Sequence, residues 1–85
     1  MASYKLFIKP SAAKEIESLP KNDRQRIIDR IQLLAKEPRP VGCTKLSGEE
    51  KYRIRQGDYR ILYEIHDVEL IVAVVRVGHR RDVYR

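Results

Sequence analysis

The chain has 85 residues, and its 18 Lys and Arg against 12 Asp and Glu give a formal charge of +6 at pH 7. This length allows one small core and excludes an enzyme with separate cofactor and substrate domains. The single cysteine excludes an intramolecular disulfide and a cysteine-rich zinc site, and the longest apolar run is too short to span a bilayer. No signal-peptide pattern opens the sequence, so we expect one cytoplasmic domain over residues 1–85.

The beginning of the sequence predicts a strand followed by a helix. Residues 4–9 alternate in the way that is typical of a short strand, which Pro10 ends. Ser11 is the predicted N-cap of a helix whose apolar residues are spaced four and three positions apart. Pro20 then breaks this first helix.

A second helix is predicted to begin between residues 20 and 23, where Asn22 and Gln25 have the spacing of a capping box. One face of this helix is apolar, and charged residues fall largely on the other. Pro38 ends the helix, because the residue before a proline avoids the helical region of backbone space. Residues 37–42 then form a proline-rich loop.

The second half of the sequence predicts three strands, over residues 51–55, 59–66 and 70–77. Residues 72–75 are apolar on both faces, which suits a central strand that is covered on both sides. The order of elements therefore predicts an α+β fold. It consists of an N-terminal strand, a two-helix hairpin and three antiparallel strands in one mainly antiparallel sheet.

The Gly57-Asp58 pair fixes which side chains share a sheet face. If these two residues form a two-residue hairpin loop, Arg55 lies opposite Arg60 and Ile54 lies opposite Ile61. Opposite residues of an antiparallel pair project to the same side, so the apolar and the basic residues separate. The predicted core face holds Tyr52, Ile54, Ile61 and Tyr63, and the other face holds Arg53, Arg55, Arg60 and Leu62.

The three arginines on one face allow two interpretations. Like charges opposite each other in a strand pair repel by about 0.2–1 kcal/mol. The face is either a solvated surface, with Glu49, Glu50 or Glu64 compensating the charge, or a phosphate-binding site at which a ligand relieves the repulsion.

A second basic cluster follows Gly78, which is predicted to end the last strand. Arginine binds phosphate and an aromatic ring stacks on an exposed base, so this combination suits single-stranded RNA. The alternative is a basic tail whose apolar residues cover the sheet edge. The cluster comprises His79, Arg80, Arg81 and Tyr84.

These motifs together resemble the RelE branch of the RelE/ParE toxin superfamily, the toxins of type II toxin–antitoxin systems. The resemblance rests on residues 52–55, which read YRIR, residues 57–63, GDYRILY, and residues 77–84, VGHRRDVY. It extends over almost the whole chain, including the helical hairpin and the order of elements.

The resemblance implies ribosome-dependent cleavage of messenger RNA in the A site. The 2′-hydroxyl of the RNA would attack the adjacent phosphate, leaving a 2′,3′-cyclic phosphate and a 5′-hydroxyl, with no metal or other cofactor needed. The protein would supply orientation, charge stabilisation and proton transfer.

The resemblance also assigns roles to individual residues. Arg53 and Arg55 match a pair of lysines that contact the phosphate and assist the 2′-hydroxyl. Arg60 matches an arginine that stabilises the charge of the transition state, and Arg80 matches the arginine on the leaving-group side. Tyr84 matches the tyrosine that stacks on the base at the cut. Further expected RNA or ribosome contacts are Lys45, Lys51, Arg76 and Arg81.

Arginine in place of lysine at residue 55 changes the expected chemistry, because a guanidinium effectively cannot lose its proton. The general base is then another group, or the site works mainly by electrostatics. We offer His79 as a hypothetical proton carrier, since histidine titrates near neutral pH. The alternative is a structural histidine after Gly78.

Two other functions stay open on the sequence alone. One is a ParE-like DNA gyrase poison with the same fold, and the other is a catalytically weak toxin relic that acts as a corepressor. The expected partners are a cognate antitoxin that lays a helix or extended segment across the toxin, together with the ribosome and mRNA. The toxin–antitoxin complex would bind operator DNA through the antitoxin, and no membrane partner is expected.

Overall fold

The structure is a computed structural model that describes residues 3–46 and 50–79. Within these ranges the chain forms five strands and two helices. The elements in chain order are β1 (Lys5–Ile8), α1 (Pro10–Glu17), α2 (Lys21–Lys36), β2 (Thr44–Lys45), β3 (Lys51–Gln56), β4 (Tyr59–His66) and β5 (Ile71–His79). Neither helix is long and apolar enough to cross a membrane within the described ranges.

All five strands belong to one sheet with the order β1-β5-β4-β3-β2. β1 pairs with β5 in parallel, and the other three pairs are antiparallel. The predicted α+β fold with one mainly antiparallel sheet is confirmed. β2 is an addition to that prediction, because two residues are too few to produce a periodic pattern.

Both helices begin differently from the prediction. α1 begins at Pro10, so Ser11 lies inside the helix and is not its N-cap. Proline fits the first helical position because its fixed φ is helical and its missing N–H would have no partner there. In α2 the N-cap position is Pro20, and the predicted capping box of Asn22 and Gln25 is wrong. The Gln25 amide donates instead to Asp29, at 2.9 Å.

The helices cover one face of the sheet and form the core with it. Tyr63 lies at the centre, fully buried, and its hydroxyl donates to the carbonyl of Pro38 at 2.7 Å. Burial of the Tyr63 hydroxyl raises its pKa. The other core side chains are Ala12, Ile16, Ile27, Ile31, Leu34, Tyr52, Ile54, Ile61, Ile65, Val72, Val74 and Val77.

An ion-pair network ties the loop after α2 to the turn between β4 and β5. The Arg39 guanidinium donates to both carboxylate oxygens of Asp67, at 3.2 and 2.8 Å, and Tyr4 donates to the same carboxylate at 2.7 Å. Arg39 also lies over the ring of Tyr52, 5.2 Å from its centre. The hydrogen bonds from Arg39 and Tyr4 lower the pKa of Asp67 to about 2.

The β3–β4 hairpin has the predicted two-residue loop. Gly57 has φ +62°, in the left-handed region that a glycine adopts without a steric penalty. The observed pairs include Arg55 with Arg60 and Ile54 with Ile61, so the predicted register is confirmed. The segregation of core and basic residues onto opposite faces follows from this register.

Candidate nucleic-acid interface

The sheet face turned away from the helices carries the predicted arginine cluster. We call it the open face; its β3 and β4 residues are Lys51, Arg53, Arg55, Arg60, Leu62, Glu64 and His66. In one row across the sheet, Arg55 lies opposite Arg60, which in turn lies opposite Gly78. Opposite residues of an antiparallel pair have their Cβ atoms about 5 Å apart, so these guanidinium groups share one small area.

The next row of the open face also carries two arginines. Arg53 lies opposite Leu62, and Leu62 lies opposite Arg76 of β5. Arg55 is exposed, whereas Arg53, Arg60 and Arg76 are half-buried. The structure therefore places four arginines from three adjacent strands in two neighbouring rows of the open face.

A bulge in β5 brings Arg76 to the open face. Tyr63 pairs with Val74 and Leu62 pairs with Arg76, so Val75 is an extra residue in β5. Because side chains alternate along a strand, one extra residue reverses the faces that follow it. Val77 consequently enters the core, and the register places Arg76 on the open face, in the row of Arg53 and Leu62.

Glu15 of α1 holds the strand just after this bulge. One of its carboxylate oxygens accepts the backbone N–H of Val77 at 3.0 Å, and the other accepts from the Arg76 guanidinium at 3.3 Å. β1 has ended before this point, because its last pair is Ile8 with Val74. The carboxylate thus takes the place of a neighbouring strand along the edge of β5.

The negative charges near the open face have partners of their own. Glu64 accepts a contact from the His66 ring at 3.1 Å and lies opposite Lys51 in the strand pair. Glu50 accepts from Lys45 at 3.3 Å. Glu49, the third predicted compensating carboxylate, lies outside the described residues.

Two of the predicted site residues lie on the opposite side of the sheet from the arginines. Lys45 pairs with the core residue Tyr52, and His79 pairs with Tyr59. The His79 ring lies edge-on to the Tyr59 ring, with 6.1 Å between their centres. Tyr59 donates to Asp23 of α2 at 3.1 Å, and burial together with this contact raises its pKa. His79 also lies within β5, so the prediction that Gly78 ends the strand is wrong.

The C-terminal members of the predicted site fall at residues 80–85, which lie outside the described residues. They are Arg80, Arg81 and Tyr84. Among residues 3–46 and 50–79, no group of three or more His, Cys, Asp or Glu side chains is arranged to hold a metal ion.

Comparison with known proteins identifies the family. A family model described as ParE toxin of type II toxin–antitoxin system, parDE, matches residues 6–84. The toxin RelG of Mycobacterium tuberculosis is 31% identical over 86 residues, covering 96% of this chain and 97% of RelG. The chain belongs to the RelE/ParE toxin family of type II toxin–antitoxin systems. The resemblance seen in the sequence motifs is thereby confirmed.

Solved structures of RelE toxins have the same fold. The archaeal RelE–RelB complex from Pyrococcus horikoshii superimposes with a TM-score of 0.84 at 28% identity, covering 95% of this chain and 99% of that chain. The RelBE2 toxin–antitoxin complex from M. tuberculosis gives 0.82 at 27% identity, covering 92% and 99%. The matched relatives carry RelE-type names, whereas the family model carries the ParE description.

Within this RelE/ParE fold, the part that sequence analysis missed is the contact from α1. Glu15 follows Ala12 by three positions and precedes Ile16 by one, and both neighbours are buried. Residues three positions apart lie on the same face of a helix. The sequence signal for this contact was therefore a carboxylate, Glu15, on the apolar face of a short helix. Chemically, the open face offers several guanidinium groups, which suit bidentate contacts to phosphate.

Proposed function

We propose that this toxin is a ribosome-dependent endoribonuclease that cleaves mRNA in the A site and thereby inhibits translation. The observation that carries the proposal is the row formed by Arg55 and Arg60 on the open face, flanked by Arg53 and Arg76. A cluster of arginines suits a ligand of opposite charge, and in this proposal that ligand is RNA phosphate. The RelE names of the relatives support the same conclusion.

The proposed reaction is an internal transfer at phosphorus. The 2′-oxygen of the RNA forms a bond to the adjacent phosphorus and loses its proton to solvent water, while the bond from phosphorus to the 5′-oxygen breaks and that oxygen takes a proton from solvent water. The products are a 2′,3′-cyclic phosphate and a 5′-hydroxyl. Negative charge grows on the phosphoryl oxygens in the transition state, and fixed cations stabilise it more than they stabilise the substrate.

Arginine at residues 53 and 55 directs the proposed mechanism toward electrostatics. Guanidinium groups stay protonated, so Arg53 and Arg55 bind the phosphate and lower the pKa of the nearby 2′-hydroxyl without accepting its proton. Arg60 stabilises the phosphoryl charge. Arg80 assists the leaving 5′-oxygen, and Tyr84 stacks on the base. His79 takes no part in this scheme, because its side chain is directed to the helix side of the sheet.

The proposed partners follow from the same family. A cognate antitoxin binds this toxin in the cell, as in the homologous toxin–antitoxin complexes. The proposal further has the resulting complex contact operator DNA through the antitoxin. The substrate complex is the ribosome with its mRNA, which places the activity in the cytoplasm. Lys51, Arg76 and Arg81 extend the contact to RNA or ribosome, whereas Lys45 would contact it from the edge strand β2.

The proposal is tested by mapping cuts on an mRNA that is translated in a purified system. The wild-type protein, Arg60→Ala and Arg55→Ala are compared, and Arg26→Ala serves as a matched control because Arg26 is an exposed arginine on α2. We expect the wild-type protein to make ribosome-dependent cuts with cyclic-phosphate ends. The rate of cleavage should be about 100-fold lower for Arg55→Ala and Arg60→Ala and unchanged for Arg26→Ala. An absence of cuts from the wild-type protein on programmed ribosomes would refute the proposal.

A second candidate function is poisoning of DNA gyrase, which the ParE description of the matching family model favours. It predicts trapped gyrase–DNA cleavage complexes and no mRNA cuts. The same purified preparation, incubated with gyrase and supercoiled plasmid, separates the two functions.

A further inference from the structure

The last third of β5 depends on a side chain from outside the sheet. After Val74, the outer edge of β5 has no pairing with β1, whose described pairs end there. The backbone N–H of Val77 nevertheless has an acceptor, the Glu15 carboxylate at 3.0 Å. Val77 itself is fully buried, and a buried N–H requires a hydrogen-bond partner.

The position of Glu15 is fixed by the core. Its helix, α1, is anchored through the buried side chains of Ala12 and Ile16, and Ala12, three positions before Glu15, lies on the same face of the helix. The carboxylate is about two-thirds buried, with 30% of the side chain exposed. It therefore reaches β5 from a rigid support.

The contact lies at the point where the faces of β5 reverse. The extra residue, Val75, directs Arg76 to the open face and Val77 to the core. Glu15 bonds to both residues that follow the bulge, to the Arg76 side chain and to the Val77 backbone. Bulges re-aim the residues of a strand, and this one is secured by a charge-assisted pair of bonds.

We infer that Glu15 is a positioning residue for the proposed cleavage site, because it fixes the bulged end of β5 and so the alignment of Gly78 opposite Arg60. The inference rests on the proposed function. Glu15 touches neither RNA nor the reacting atoms, and it acts through the strand that it holds. Loss of its hydrogen bond to Val77 displaces the strand relative to Arg60 of β4, and displacements of about 1 Å in a catalytic site cost about 100-fold in rate.

The test compares Glu15→Ala with Glu15→Gln. Alanine removes the acceptor for the Val77 N–H, whereas glutamine keeps an amide oxygen in reach of it. Glutamine also removes the charge and puts an NH2 group in place of the oxygen that accepts from Arg76. The matched control is Glu17→Ala, which removes the same charge from an exposed position on the same helix. Glu15→Asp, which keeps the charge but shortens the side chain, is the second variant if Glu15→Ala fails to fold.

Two measurements are made on each full-length variant. Amide hydrogen exchange of Val77, followed by NMR without RNA, reports the contact itself. Steady-state cleavage of ribosome-bound mRNA gives kcat and KM. For Glu15→Ala we expect Val77 exchange to be about ten-fold faster or more, and kcat to fall by about 30- to 100-fold with KM within about two-fold of wild type. Glu15→Gln is expected to restore both readouts most of the way, and Glu15→Asp to lie in between.

Equal kcat values for Glu15→Ala and Glu17→Ala would overturn the inference. A Glu15→Ala variant with a higher KM and an unchanged kcat would also overturn it, because that change is the signature of weaker RNA binding. A Glu15→Gln variant as slow as Glu15→Ala would also overturn it, because charge rather than alignment would then matter. If the wild-type protein does not cleave mRNA, the role in cleavage falls with the proposed function. The Val77 exchange rates then show separately whether the contact exists.

Discussion

Replacement of Arg55 by glutamine is expected to stabilise the protein while it removes activity. Arg55 lies directly opposite Arg60 in the β3–β4 pair, and it is exposed. Glutamine keeps much of the length of the side chain and removes the positive charge. The substitution therefore tests whether the arginine row is a strained binding site or an ordinary solvated surface.

The expected gain follows from the separation of the two side chains. Unit charges about 5 Å apart repel by about 0.8 kcal/mol in water, and like charges in strand pairs cost about 0.2–1 kcal/mol. We take about 0.5 kcal/mol for this exposed pair. In a domain of about 60–100 residues, 1 kcal/mol shifts Tm by about 4–8 °C, so Arg55→Gln should raise Tm by about 2–4 °C.

The assay is thermal unfolding followed by circular dichroism at low and high salt. The Debye length falls from about 10 Å at 0.1 M to about 3 Å at 1 M, so the gain in Tm should nearly vanish at 1 M NaCl. Cleavage of ribosome-bound mRNA by Arg55→Gln should be about 100-fold slower than wild type. Arg26→Gln on α2 is the control, with no gain in Tm and wild-type cleavage. A gain that persists at 1 M NaCl, or a lower Tm for Arg55→Gln, would refute the reasoning and favour a solvated surface.

Three further substitutions test other parts of the structure. Tyr63→Phe leaves the buried carbonyl of Pro38 without its donor, so the free energy of unfolding, measured in urea, should fall by about 1–3 kcal/mol. A fall of less than about 0.5 kcal/mol would contradict that pairing. The hydrogen bond from Arg39 lowers the pKa of Asp67 from its ordinary value to about 2. The contribution of Asp67 to stability is therefore present above the unfolded-state pKa and is lost as pH falls toward about 2. Asp67→Asn should therefore flatten the dependence of Tm on pH in that window, and an unchanged slope would count against the ion pair. His79→Gln should leave the pH profile of cleavage between about pH 6 and 8 as in wild type, because the ring lies on the helix side of the sheet. A profile that loses one of its limbs in this variant would restore the proton-carrier hypothesis.

The β3–β4 hairpin could be predicted residue by residue because local signals agreed there. Gly57 marked the turn, and the alternation of Ile54 and Ile61 with arginines allowed only one register. The residues of β3 and β4 on the open face could then be read from this register. Its resemblance to known toxins was visible because those same residues, together with the C-terminal motif, form the family pattern.

The end of β5 could not be predicted in the same way. Residues 72–75 are all apolar, so nothing in the pattern shows where one residue is added to the strand. The face of Arg76 and the side on which His79 lies both depend on that bulge. The helix starts were misassigned for a related reason: Ser11 and Asn22 have the right chemistry for caps, but the neighbouring prolines at residues 10 and 20 already provide the required backbone geometry.

The parallel pair of β1 and β5 has a consequence for the order in which the molecule folds and opens. Its contacts join Lys5 to Ile71 and Ile8 to Val74, across nearly the full sequence separation that the described chain offers. Such a pair has a high contact order and closes late, after the hairpins of β3, β4 and β5 have formed from local contacts. Because β1 is paired on one side only and three of its four residues are exposed, it detaches at less cost than the interior strands β3, β4 and β5. Its departure would convert the neighbouring β5 from an interior strand into a free edge, so amide hydrogen exchange along β5 would report this subglobal opening.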